Sequence, residues 1–141
     1  MPFHIRPFLT LPLAFWFLIT LLVLSTAPAY AEWVKIGESQ GGSTVYVDPD
    51  TVRRNGELVK MWYLTNYSAI HGRGDNSYLS TKIQAEYDCT EERFRILAVT
   101  QFSGNMGSGE SVHTESDEGN WEPVSPKSTA QALWKYACGK P

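Results

Sequence analysis

The sequence predicts an α+β domain: a six-stranded, mainly antiparallel sheet with one C-terminal helix packed on one face. Three observations carry this expectation. Beyond residue 31 the apolar side chains recur mostly at every second position, the period of a strand. Near the C-terminus the period changes to that of a helix. The chain has two cysteines, Cys89 on a strand and Cys138 on that helix.

The elements follow in order. Glu32 to Gly37 opens with Trp33 and alternates weakly, and Gly41-Gly42 interrupts it. Ser43 to Asp48 is β-branched and aromatic, and Asp48-Pro49-Asp50 ends it because proline donates no ladder hydrogen bond. Arg54-Asn55-Gly56 reads as a tight hairpin turn, with Asn-Gly supplying the positive φ angles. Leu58 to Tyr67 places Leu58, Trp62 and Leu64 on one face and Val59, Met61 and Tyr63 on the other. Apolar residues on both faces mark a central strand.

His71 to Asn76 is a polar, glycine-rich connection. Tyr78 to Cys89 alternates cleanly: Ile83, Ala85, Tyr87 and Cys89 face one way, while Lys82, Gln84, Glu86 and Asp88 form what reads as an exposed stripe. Phe94 to Phe102 is another strand, Ser103 to Gly109 a flexible connection, and Glu110 to Glu115 a weaker edge strand. Ser128 to Gln131 then fits an S-x-x-Q capping box. Ala130, Leu133, Trp134, Ala137 and Cys138 share one helical face, and Gly139 supplies the stop. Cys138 therefore points at the sheet, on the side where Cys89 lies.

Residues 1–31 read as a cleavable secretory signal: Arg6 with no acid near it, an apolar run from Phe8 to Leu24, then Ala29-Tyr30-Ala31. The run is interrupted by Pro12 and is short for a membrane span, so no stable span is expected after cleavage. Residues 32–141 are then one exported domain. An oxidising compartment favours a Cys89–Cys138 disulfide. Closing that loop of about 50 residues stabilises the fold by roughly 4 kcal/mol in the chain-entropy model.

Composition excludes several functions. With 12 Lys and Arg against 15 Asp and Glu, and a formal charge of −3, the chain has no basic stripe for a nucleic-acid partner. Hydrophobic residues at 43% exclude disorder. Two cysteines are too few for a thiolate zinc cluster, and Asp48, Asp50 and Glu57 lack the order of a calcium loop, so neither metal nor cofactor is expected. Asp48 reads instead as a turn residue, and His71 and His113 read as solvated. Nucleophile elbows, phosphate loops and H-E-x-x-H are missing from the sequence, Ser111 and His113 lack an acid in a recognisable arrangement, and catalysis is not expected.

For binding, Arg73-Gly74-Asp75 splays a cation and an anion from a loop between two strands, the tripeptide that integrins recognise. Turns also use Gly and Asp for purely local reasons. Tyr63 and Tyr67, on the central strand, are candidate partner contacts, since one helix covers one face of the sheet only.

Trp33, Val45 to Asp48, Lys60-Met61-Trp62, Asn66-Tyr67, Ser80 to Lys82, Glu86 to Cys89, and Trp121 to Ser128 leading to Cys138 together resemble the bacterial surface-adhesin protein E-like family. The resemblance spans roughly Trp33 to Cys138. It implies an antiparallel sheet with a packed C-terminal helix, export by a Gram-negative bacterium to the periplasm or outer-membrane surface, and binding of host components by some members. The expected function is adhesin-like binding of host or envelope proteins, with a second copy of the chain as a further candidate partner. The alternative is a small periplasmic inhibitor or accessory protein of a cell-wall enzyme.

Overall fold

In the computed structural model, which describes residues 32–39 and 41–141, the strands are β1 (Val34–Glu38), β2 (Ser43–Val47), β3 (Arg53–Asn55), β4 (Leu58–His71), β5 (Tyr78–Asp88), β6 (Arg93–Phe102), β7 (Ser111–Glu115) and β8 (Glu122–Pro123). Helix α1 (Thr129–Cys138) follows. The secretory signal expected over residues 1–31 lies outside the described residues. Among the described residues no helix is long and apolar enough to cross a membrane.

All strand pairs are antiparallel, in the spatial order β1-β2-β4-β5-β6-β7. These are the six expected strands. The short β3 pairs with β4, and β8 pairs with β6, giving eight in all. Asn55 closes the β3–β4 ladder opposite Leu58, so the tight turn is carried by Gly56 (φ 62°) and Glu57. The expected role of Asn55 at the turn centre is thereby corrected: it is the last paired residue of β3.

Alternation sorts the side chains as the period requires. Val45, Val47, Val59, Met61, Ala85 and Tyr87 point to one face and are buried there against Leu133, Trp134, Ala137 and Cys138 of α1. The helix begins where the sequence places it: the Ser128 hydroxyl accepts the Gln131 N–H at 3.1 Å, and Gln131 Oε1 accepts the Lys127 N–H at 2.9 Å. It ends at Gly139, whose φ of 64° suits a residue without Cβ. The Cys89–Cys138 disulfide, with Cα atoms 5.6 Å apart, fastens its last turn to the end of β5. The Trp134 indole N–H donates to the Asp88 carbonyl at 2.8 Å, adding a second tie at the same point.

The opposite face departs from the expected exposed stripe. Glu86 and Asp88 are buried there. Cross-strand pairing sets Arg95 opposite Glu86 and Arg93 opposite Asp88. Arg95 bonds Glu86 Oε1 at 2.8 and 2.5 Å, and Arg93 bonds Asp88 Oδ2 at 3.0 Å. The segment between β7 and β8 lies over both arginines. Trp121 stacks on their guanidinium groups at 4.6 and 4.5 Å, and Glu118 pairs with Arg95. Two carboxylates read as solvated are thus enclosed by partners from an adjacent strand and a later loop.

Burial alone raises the pKa of Asp88. The N–H groups of Glu91 and Thr90 and the Arg93 guanidinium outweigh it, and the carboxyl lies below its ordinary 3.8.

Candidate functional site

The β4–β5 hairpin is the longest in the sheet, and its two ends are built differently. From Leu58 opposite Asp88 to Asn66 opposite Ser80, every residue has a partner. The register then breaks, and His71 pairs with Tyr78. Residues 67–70 of β4 thus face Leu79 alone. Such a bulge uncouples the tip from the flat ladder and re-aims its side chains.

Arg73, Gly74 and Asp75 stand at this tip and are all exposed. Gly74 begins a single 3-10 turn, Gly74–Asn76, with a φ of 58° that favours glycine. Gly72 also needs its lack of a side chain, because a Cβ there would lie 2.5 Å from the Asn76 carbonyl oxygen. The turn is closed by hydrogen bonds from the Ser77 N–H and hydroxyl to the Gly74 carbonyl, at 3.2 and 2.8 Å. Neither charged side chain makes a salt bridge among the described residues. Both are open to solvent and to a partner.

An aromatic cluster supports the tip from below. The Tyr67 ring lies 4.1 Å from His71 and 5.7 Å from Tyr78, and His71 and Tyr78 stack at 5.7 Å. The Tyr67 hydroxyl reaches Thr81 Oγ1 at 3.3 Å. His71 is exposed, as expected, yet it belongs to β4 and completes this cluster. Ile70, on the bulge, is 67% exposed, the most exposed large apolar residue described.

A second loop braces the hairpin. Asn66 Oδ1 accepts the Met106 N–H at 2.8 Å and the Asn105 amide at 3.0 Å. The buried Ser80 hydroxyl donates to the Gly104 carbonyl at 2.6 Å and accepts the Gly107 N–H at 2.9 Å. The glycine-rich connection 103–109, expected to be flexible, is folded onto β4 and β5 by these four bonds. The structure therefore gathers Arg73, Gly74, Asp75 and Tyr67 at one end of one hairpin.

Tyr63 is elsewhere. It lies under the first turn of α1, packed against the core, with its pKa raised by burial and by the neighbouring Tyr67. The sequence reading missed Ile70 and the His71–Tyr78 stack, which only the four-residue bulge brings together.

Asp48 behaves as the turn residue expected: Oδ1 accepts the Asp50 N–H at 3.2 Å, capping the 3-10 turn Pro49–Thr51. No cluster of three or more metal-ligating side chains occurs among the described residues. His113 Nε2 lies 3.9 Å from Glu115 on edge strand β7.

Comparison with known proteins agrees with this architecture. The fold matches a crystal form of Haemophilus influenzae protein E with a TM-score of 0.62 at 9% identity, covering 79% of this chain and 90% of that one. Protein E from non-typeable Haemophilus influenzae matches with a TM-score of 0.55, also at 9% identity, over 81% of this chain and 79% of that one. At such identity the likeness concerns the fold. No curated protein matches the sequence. The family model described as surface-adhesin protein E matches residues 33–139, nearly the whole described region. The chain belongs to the surface-adhesin protein E family.

Proposed function

We propose that this protein is a non-catalytic adhesin, exported by means of a signal peptide at residues 1–31 and acting as a single domain over residues 32–141. Its recognition site on this reading is the β4–β5 tip: Arg73, Gly74 and Asp75, flanked by Ile70 and supported by Tyr67, His71 and Tyr78. The observation that carries the reading is the contrast within one hairpin. The closed end is tied by a disulfide and by ion pairs to two buried carboxylates, whereas the tip presents a cation and an anion unpaired among the described residues and an exposed isoleucine. Ready-made charges on a narrow, braced turn suit a protein partner, because little further ordering is needed on binding. The partner class is a host extracellular component with a cation-seeking and an anion-seeking subsite, such as an integrin.

The test is attachment of integrin-bearing cells to the immobilised exported chain. Replacing Asp75 with Ala, and separately Arg73 with Ala, should abolish attachment while leaving the fold intact. Undiminished attachment by both variants refutes the tip as the site. Protease treatment of intact bacteria should also cleave the protein. Full protection within the envelope would instead favour the inhibitor or accessory role for a cell-wall enzyme.

A further inference from the structure

Away from the hairpin tip, a cavity of about 240 Å³ opens between the sheet and the first turn of α1. Its apolar wall is formed by Val45, Phe94 and Leu133. Its polar groups are hydroxyls: Tyr63, Tyr87, Thr65 and others, with no charged side chain among the lining residues. Thr129 and Ala130 close it at the helix N-terminus. We propose that this cavity binds a small organic monocarboxylate with an apolar, ring-sized body.

Tyr87 carries the argument. It is 99% buried by its 1% exposure, and its hydroxyl has no hydrogen-bond partner among the described residues. Yet no polar side-chain atom in the described residues is both fully buried and unpartnered. The small remaining exposure of Tyr87 therefore includes its hydroxyl, and the residue lines this cavity. A hydroxyl so placed is free to bond a molecule that enters the cavity in exchange for solvent. Tyr63, on the neighbouring strand, also lines the cavity, and its hydroxyl has no hydrogen-bond partner among the described residues. Both are held protonated by burial, so both donate.

The helix adds two more donors and a sign. The Gln131 N–H is taken by the Ser128 hydroxyl and the Ala132 N–H by the Ser128 carbonyl. The Thr129 and Ala130 N–H groups, on the two residues that wall the cavity, have no acceptor among the described residues. A helix N-terminus favours an anion, and donors without acceptors favour a carboxylate over an amine. The volume equals about eight waters at ~30 Å³ each, so a ring bearing one short acid arm fits and a drug-sized ligand does not. The aromatic edge of Phe94 and the aliphatic Val45 and Leu133 would hold the ring.

The test uses phenylacetate as the probe and phenylacetamide as its neutral counterpart, titrated into the exported, disulfide-bonded chain and followed by NMR. Phenylacetate should produce saturable shifts of the Tyr63 and Tyr87 rings and the Leu133 methyls. Phenylacetamide should bind about tenfold more weakly, the value of one charge-assisted hydrogen bond. Tyr87→Phe, which removes a hydroxyl with no partner among the described residues, should weaken phenylacetate about tenfold and leave the Trp134 resonances in place. Ala130→Phe, which fills the cavity from the helix side, should abolish binding. Shifts without saturation, equal binding of the amide, or undiminished binding by both variants would each overturn the proposal. Cell attachment should be unaffected by phenylacetate at saturation, which separates this site from the hairpin tip.

Discussion

The closed and open ends of the β4–β5 hairpin show how one pair of strands meets two incompatible demands. At the closed end, Leu58 and Asp88 sit beside the disulfide, the Trp134 hydrogen bond and the Arg93 ion pair, and the adjacent Val59 and Tyr87 are buried. At the open end the ladder slips by several residues and the chain leaves the sheet with its charges exposed. The covalent and ionic ties are concentrated away from the hairpin tip. Replacing the exposed Arg73 and Asp75 side chains is therefore cheap, and the charges of this turn can change without endangering the fold.

That contrast can be broken from the closed end first. Replacing both cysteines with alanine should cost about 4 kcal/mol of unfolding free energy, measured by urea denaturation, since the 49-residue separation defines a long closed loop. Arg95→Ala should cost about 3 kcal/mol by leaving the buried Glu86 carboxylate without its partner. Trp134→Phe should cost about 2 kcal/mol, because the Asp88 carbonyl loses its donor in a buried setting. At the tip, Asp75→Ala should change stability by no more than about 0.5 kcal/mol, and its effect should appear in attachment alone.

Acid sharpens the same comparison. The folded-state pKa of Asp88 is depressed below 3.8, so its interactions contribute fully above that value. Their contribution is lost as pH falls through the lower folded value. Asp88→Asn should flatten the acid limb of a stability-against-pH curve below about pH 4, whereas Asp75→Asn should leave its shape unchanged.

How legible this was depended on the range of the interaction. The two-residue period fixed the core face of β4 and β5, because Val59, Met61, Ala85 and Tyr87 each had only one face on which to fall. The helix could be read down to its cap, since Ser128, Gln131 and Gly139 act on neighbours within a few positions. Glu86 and Asp88 were misplaced because their cover comes from another strand and a distant loop. A signal was nevertheless present: E-x-D followed across a short turn by R-x-R is a complementary charge ladder on two antiparallel strands. At the candidate site the tripeptide was visible as letters. The bulge that joins Ile70, His71 and Tyr78 to it was not, because ladder slippage has no period. Tyr63 and Tyr67, four apart on one strand, share a face but not a fate: α1 reaches the first, and the second supports the tip.

The order of the elements has a consequence for biogenesis. Every strand precedes α1 along the chain, so the oily side of the sheet is assembled before the segment that shields it arrives. Until Cys138 finds Cys89, this intermediate would expose Val59, Met61 and Tyr87, a surface suited to chaperone capture. Closing the Cys89–Cys138 bond completes the cover, and cells lacking a thiol oxidase should accumulate the protein as a chaperone-bound or degraded species.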